Sequence, residues 1–402
     1  MALMPVADAY AAVLKGADAL PEELVPLEEA HHRTLARDVP SLRTQPPAAM
    51  SAMDGYAVRA ADAVLGARLK VIGEVAAGRP LNGGLATGEA ARIFTGGVVP
   101  YGADAVVIQE DTTRDGDIVA INEAIDTGKN IRKAGIDFRE GDVLLKGGAL
   151  LTDRDLSLAA SMNHPKLPVR RRPKVAILAT GDELVMPGTV PAPGQIVYSN
   201  GFALRALIRS EGAEAIDLGI AHDTLESTTT GIRRARDLGV DVLITTGGAS
   251  VGDHDVVKRA LDAEGTDMAF WQIALRPGKP MMHGRLGSMR VLGLPGNPVS
   301  SYICAYLFLV PLIRALSGRT TVDHHFETAT LGHDLPANDK RQDYLRARLT
   351  TDNTGLSTAV AIGHQDSSLV ANLSSANALI IRPPFAAAAA KGSPCTILRL
   401  PG

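Results

Sequence analysis

Only two cysteines, Cys304 and Cys395, occur in 402 residues. That number excludes a disulfide framework and any CxxC metal site. Cys304 falls in an apolar run and Cys395 in a strand-like terminal segment, so both read as packing residues rather than nucleophiles. Aromatics are scarce too, at 4% with a single Trp, so a core must be built from Val, Leu, Ile and Ala; hydrophobic residues at 46% suffice for one. Neither sign of charge dominates: 41 Lys and Arg against 44 Asp and Glu give a formal net charge of −3. A general nucleic-acid binder shows a basic excess and an interaction tail shows a run of like charge; this chain has neither. The start, MALMPVADAY, has an early acid and no basic stretch leading into an apolar core, so it does not read as a signal peptide. Long apolar runs are few. VSSYICAYLFLVPLIRAL, residues 299–316, nears the roughly 20 residues of a membrane span. It follows a Pro-Gly loop, contains Pro311 and carries Arg314, so it reads as a buried core helix, without a membrane partner, in a cytoplasmic protein.

What is present is a change of texture along the chain. At roughly 100–200 residues per domain, the length predicts several domains. Residues 1–45 read as helical, from Val6, Tyr10, Val13 and Leu14 at helix spacing and a similar style over 27–36. Pro46-Pro47 stops that pattern. Short β-rich runs with many glycines follow to about residue 145, at 69–75, 92–94, 105–109 and 118–121. Helix returns at Thr152, where Thr152 and Asp155 resemble a capping box. The expectation is a helical domain, 1–45 and 146–168, interrupted by a β-rich domain, 46–145. PKLPVRRRP, 165–173, reads as a basic, Pro-rich linker. After it strands (175–179, 215–218, 240–245, 289–292) alternate with helices (199–211, 256–263 and the long apolar one); Phe202, Leu207 and Ile208 are expected to face inward. This rhythm predicts a three-layer α/β domain with a mostly parallel sheet over 169–318. Strand-like runs after Arg319 predict a separate β domain, 319–402.

Three polar, glycine-bearing loops each follow a predicted strand of the α/β domain. They are Thr180-Gly181-Asp182-Glu183, Thr246-Gly247-Gly248-Ala249-Ser250-Val251-Gly252-Asp253, and Leu294-Pro295-Gly296-Asn297-Pro298. In a parallel sheet such loops gather outside the carboxyl ends of the strands, where ligands bind. Glycine lets backbone N–H groups approach an anion, and a following helix N-terminus favours negative charge. Any one loop is equally well explained as a tight turn; three in one domain point to a phosphate-bearing ligand. Asp182, Glu183, Asp223, Asp253 and Asp255 fall at or just past strand ends. Carboxylates repel phosphate unless a cation stands between, and Mg²⁺ held by carboxylates and substrate oxygens is the usual solution. Asp255 reads equally well as a helix cap. Arg276-Pro277-Gly278-Lys279-Pro280 is a rigid basic loop suited to an oxyanion. Arg132 and Lys133 beside Asp137, and the run Ser51–Val58 around Asp54, give further polar loops on the β-rich segment.

In order along the chain stand SAMDGYAVR, FTGGVVPYGADAVVIQED, LATGDEL, LITTGGASVGDHD, RPGKP and LGLPGNPVSS. This ordered set resembles the MoeA family and the E domain of gephyrin. The resemblance implies four domains in an elongated homodimer, the third a molybdopterin-binding α/β domain and the fourth a β barrel. It places the active site between the third domain of one subunit and the second of the other. It implies a molybdenumtransferase, in which molybdate enters adenylyl-molybdopterin and AMP leaves with the help of a divalent cation, usually Mg²⁺. Catalytic positions carried over are Asp54, Thr95, Arg132, Asp137, Glu183, Asp223, Arg276 and Lys279. Of these, Arg276 and Lys279 attract molybdate, while Asp54, Thr95, Arg132 and Asp137 come from the partner subunit. Thr180, Gly181, Gly247, Gly248, Ser250, Gly252, Pro295, Gly296, Asn297 and Pro298 bind the cofactor, with Gly247, Gly248, Ser250 and Gly252 on the pterin phosphate, and Glu183, Asp223 and Asp255 hold the metal. Ser367 is a candidate contact from the last domain. Transient contacts with a molybdopterin adenylyltransferase and with molybdoenzymes are also implied, and none with nucleic acid. Ala48-Ala49-Met50 stands where many members have Phe-Asp-Asn, Gly97-Val98 where they have Ala-Pro, and Gln272 and Arg276 where some have Lys. Two other readings share parts of the pattern: an adenylyltransferase acting on molybdopterin itself, and a gephyrin-like scaffold that binds a partner peptide.

Overall fold

The computed structural model describes residues 3–247, 256–270 and 272–401. The largest core is built on a six-stranded sheet in the order Glu214–Ala221, Lys174–Thr180, Val242–Thr246, Met289–Leu294, Met282–Leu286, Asp267–Phe270. The first four strands run parallel, and Met282–Leu286 is antiparallel to both of its neighbours. Val242–Thr246 and Met289–Leu294 are buried along their whole length, and Lys174–Thr180 beyond its first residue. Strands covered on both faces have no solvent side to alternate with, hence their unbroken apolar sequences. Helices Asn200–Ser210 and Pro298–Leu316 pack on one face, joining Ile177, Leu204, Leu292, Ile303 and Phe308 in one core. Leu225–Asp237 and Val256–Ala263 cover the other, where Leu178, Ile232, Leu243 and Leu261 meet. This is the three-layer α/β arrangement predicted from the sequence.

Pro298–Leu316 is, among the described residues, the one helix long and apolar enough to cross a membrane, yet 83% of it lies inside the protein. It widens to a π turn over Ala305–Leu309, just before Pro311. Proline lacks the N–H that an α turn requires, and its ring crowds the preceding turn; a wider turn lets the helix run past it.

The N-terminal third departs from the helical expectation. Only Val6–Leu14 and, after the insert, Asp153–Ser161 are α-helices, the latter closed by the Thr152–Asp155 capping box. Residues 27–36 hold no α-helix: Leu27–Glu29 is one 3₁₀ turn. Pro21 and Pro26 remove N–H groups and favour extended neighbours, so Glu22–Pro26 forms a strand instead. Its antiparallel partner is Lys166–Arg170, so most of the expected basic linker is a strand. Segments on both sides of the insert share a core of Val25, Leu35, Val39, Leu145, Leu151 and Leu167. Helix Val6–Leu14 packs elsewhere, through Ala9 and Val13, against the α/β core. The insert carries its own six-stranded mixed sheet, with Gly55–Val58, Glu89–Ile93 and Arg68–Val75 at its centre.

After Arg319, strands Phe326–Leu331, Gln342–Thr351, Ser357–Ala361, Ala378–Arg382 and Pro394–Arg399 close into a five-stranded barrel, the ring completed where Gln342–Thr351 pairs with Ala378–Arg382. Leu275–Arg276 adds to the barrel in parallel with Gln342 and Asp343, tying it to the α/β domain. The chain thus combines an α/β domain, a β-rich insert and a terminal barrel.

Candidate functional site

Four parallel strands end together. Thr246 lies in register with Ala179 on one side and Leu294 on the other, and Thr180 with Ala221. Their following loops therefore start from one sheet edge. Gly247 has a φ of +92°, which a side chain disfavours, and a Cβ there would stand 2.4 Å from the Thr180 carbonyl oxygen. The same hypothetical atom on Gly296 would lie 3.7 Å from the Cα of Gly247. Thr180, Gly247 and Gly296 thus stack backbone on backbone. Thr180 is buried beneath this stack, its Oγ1 without a partner among the described residues, and Pro295 is buried as well; Gly296 and Asn297 stay exposed. Asn200 Nδ2 donates to the Gly296 carbonyl at 2.7 Å, and Asn297 Nδ2 to Ser367 Oγ at 2.8 Å. The Val299 N–H donates to the Ser367 carbonyl at 3.1 Å, so the barrel clamps the loop from the other side. Pro298 stands at the first position of its helix, where no N–H is needed, leaving the helix N-terminus at this edge.

The acids gather beside these turns. The Glu183 carboxylate folds back over Gly181, whose hypothetical Cβ would meet its oxygen at 2.4 Å. Asp182 Oδ1 is 2.9 Å from His222 Nδ1 and accepts from the Asp223 N–H at 3.4 Å; these bonds hold its carboxyl below the usual range. Asp223 goes the other way. Partial burial, and then the charges of Glu183 and Asp182, raise it. Clustered hard oxygen donors with mutual repulsion are the environment a divalent cation relieves. Among the described residues no group of three or more metal-ligating side chains is close enough to hold an ion by itself. The proposed ligand Asp255, with Gly248, Ser250, Gly252 and Asp253, lies outside the described residues.

The basic loop reaches the same edge, because Met282 pairs with Gly293 at the end of the Met289–Leu294 strand. Lys279 is exposed and its side chain has no ion pair among the described residues. Arg276 differs. Its Nε donates to Asp343 Oδ1 at 2.7 Å, its Nη2 to Asp343 Oδ2 and Asn338, and its Nη1 to Asp339 at 3.2 Å. Two carboxylates thus neutralise the cation expected to attract molybdate, and in this arrangement Arg276 fastens the barrel instead.

The remaining predicted residues form a second group on the insert. Thr95 donates to Asp54 Oδ1 through its N–H at 2.7 Å and its Oγ1 at 2.8 Å, which holds the Asp54 carboxyl below its usual range. Arg132 sits across from Met50 in a two-stranded ladder, and the Asp137 N–H donates to the Gln45 carbonyl at 3.1 Å. Arg132, Asp137, Asp54 and Thr95 are all exposed. Among the described residues no hydrogen bond or ion pair joins this group to the sheet edge. Sequence reasoning missed three contributors: Asn200, His222 and Arg92, whose guanidinium bonds Gly55 and Gln109 and lies over Tyr56 and Phe94. A polar Ser-Asn-Gly run opening an apolar helix was the available signal for Asn200; His222 and Arg92 had none.

Comparison with known proteins gives the same assignment throughout. Residues 4–163 match the MoeA N-terminal region (domain I and II), 176–315 a probable molybdopterin binding domain, and 328–400 the MoeA C-terminal region (domain IV). A molybdopterin molybdenumtransferase of Haemophilus influenzae is 36% identical over 363 residues, 89% of either chain. One from Nostoc is 35% identical over 388 residues, covering 94% of this chain and 89% of that one. The crystal structure of a molybdopterin biosynthesis MoeA protein from Pyrococcus horikoshii superimposes with a TM-score of 0.85 at 32% identity, over 100% of both chains.

Proposed function

The chain belongs to the MoeA family of molybdopterin molybdenumtransferases, and on that premise we propose that it inserts molybdate into adenylyl-molybdopterin with release of AMP. It is a transferase of molybdenum cofactor biosynthesis. The observation that carries the finer reading is the convergence of Glu183, Asp223, Gly247 and Gly296 at one sheet edge. In it, the exposed turn at Gly296 and Asn297, with Gly247 beside it, presents backbone N–H groups to the phosphates. Asn200 fixes the Gly296 peptide, and Thr180 supports Gly247 from below. His222 orients Asp182, which in turn receives the Asp223 backbone N–H. Glu183 and Asp223 would hold Mg²⁺, which when bound supplies charge neutralisation of the phosphoanhydride. Lys279 attracts the molybdate dianion. Asp54, Thr95, Arg132 and Asp137 complete the site from the second subunit of a homodimer, which accounts for two polar groups left without a mutual bond. The reading carries with it a cytoplasmic setting and passing contacts with the enzyme that supplies the adenylylated substrate and with molybdoenzymes that take the product.

The test offers the purified protein two substrate pairs, each with Mg²⁺: molybdopterin with ATP, and adenylyl-molybdopterin with molybdate. The expected result is AMP release from the second pair only, lost in Glu183→Ala. Consumption of the first pair would establish the adenylyltransferase reading instead.

A further inference from the structure

Between Glu183 and Asn200, both at the sheet edge, the chain leaves the α/β core as an arm. Leu184–Val185 and Ile196–Val197 pair as a short parallel ladder. The Ile196 N–H donates to the Glu183 carbonyl at 2.8 Å, and the Tyr198 N–H to the Val185 carbonyl at 2.8 Å. Towards the tip the Thr189 N–H donates to the Met186 carbonyl at 3.1 Å and the Gln195 N–H to the Ala192 carbonyl at 2.9 Å. Pro187, Pro191 and Pro193 restrict the remaining backbone by fixing φ. The arm is thus held by its own bonds, yet every residue from 186 to 194 is exposed. Its large apolar side chains face water: Met186, Val190 at 90%, Ile196 at 55%, and Val197. Ile196 and Val197 are successive strand residues on opposite faces, so neither face of the ladder is covered. Exposed apolar side chains gathered on one ordered element, rimmed by polar ones, mark an interaction surface.

The insert carries a matching surface. Its polar group is bordered by Met53, beside Asp54, and by Ile136, beside Asp137; both apolar side chains are exposed, Ile136 at 64%. Arg132 and Lys133, on the same loop as Ile136, are exposed and have no ion pair among the described residues. The base of the arm has the opposite sign, with Asp182, Glu183 and Asp223 side by side. Apolar side chains flanking charge thus occur on both surfaces, with the charges complementary. Within one chain no hydrogen bond or ion pair joins the arm to the insert among the described residues.

We propose that the arm, 184–198, docks through Met186, Val190, Ile196 and Val197 on the Met53 and Ile136 face of a second copy's insert, and that this contact sets Glu183 against the Asp54 group. The proposal rests on the two-subunit reading above and names the surface that joins the subunits at the site. Because the Ile196 N–H holds the Glu183 carbonyl, whatever fixes the arm also fixes Glu183. In a twofold dimer the contact occurs twice, so a small apolar patch is used at both sites. The test places Val190→Cys and Ile136→Cys together in Cys395→Ser protein, whose other thiol, Cys304, is buried. A short thiol cross-linker should convert most of the double variant to a covalent dimer on a denaturing gel, and little of either single variant. Val190→Asn with Ile196→Asn should weaken dimerisation by sedimentation and lower AMP release from dilute enzyme by on the order of tenfold. Leu356→Asn, an exposed apolar position on the barrel, should change neither. A dimeric wild type whose arm and insert give no covalent dimer, or an arm variant that dimerises and turns over as wild type does, would overturn the arm contact while leaving the two-subunit reading in place. A wild type fully active as a monomer would overturn both.

Discussion

At the scale of single residues, charge placement separates binding groups from fastening ones. Asp223 has its carboxyl raised by partial burial and by Glu183 and Asp182. A carboxyl with a raised folded pKa stabilises the fold fully below its unfolded pKa and loses that contribution as pH rises through the folded one. At neutral pH Asp223 therefore penalises the cation-free protein, so Asp223→Asn should melt no lower than wild type at pH 7. The difference should vanish below the carboxylate range, and the variant should gain nothing from Mg²⁺. Calorimetric scans with and without Mg²⁺ at two pH values check this; a variant that melts lower at pH 7 yet still responds to Mg²⁺ contradicts it. Arg276 belongs to the fastening class. Its partner Asp343 is only 4% exposed, so Arg276→Ala strands a buried carboxylate. With the arginine itself 41% exposed, the cost should be about 2–3 kcal/mol, below that of a fully buried pair. Urea unfolding should report that loss, with the molybdate KM of the surviving folded protein little changed. The resemblance implied molybdate for both Arg276 and Lys279, and the residues themselves gave only a basic loop suited to an oxyanion, which does not tell which cation a distant carboxylate will claim.

At the scale of elements, the sheet edge depends on turns that a Cβ would obstruct. Gly247→Ala places that atom 2.4 Å from the Thr180 carbonyl at a φ of +92°, so strands Lys174–Thr180 and Val242–Thr246 must part or the turn must re-form. A stability loss of more than about 1 kcal/mol is expected, with phosphate-end binding weakened. Equilibrium unfolding and titration with adenylyl-molybdopterin measure the two effects; unchanged affinity would contradict the stacked-loop geometry. Elements whose sequence pattern follows from two-sided burial were legible, among them the parallel strands and the long apolar helix. Residues 27–36 were not. Their apolar spacing imitates a helix, but Pro21 and Pro26 turn the chain extended just before them, and Leu35 bridges Val169, over a hundred residues away in sequence. Phe202 was expected inward on its helix and is exposed, lying instead under the Arg205 guanidinium at 4.5 Å.

At the scale of the whole molecule, the candidate site is two surfaces of one chain. The glycine loops and acids of the α/β edge were legible because strand ends announce them, and the insert residues only through an ordered resemblance. Local pattern alone says nothing about which faces meet across a dimer. The central claim is that Asp54, Thr95, Arg132 and Asp137 of one subunit act with Glu183, Asp223 and the glycine turns of another. Subunit complementation tests it most directly: Asp54→Ala and Glu183→Ala proteins, each nearly inactive, are dissociated, mixed in equal amounts and reassociated, and AMP release is measured. Random pairing would give mixed dimers with one intact site, so activity should recover to about a quarter of wild type. Activity that stays at the level of the separate variants, in mixtures proven to contain mixed dimers, would contradict the account.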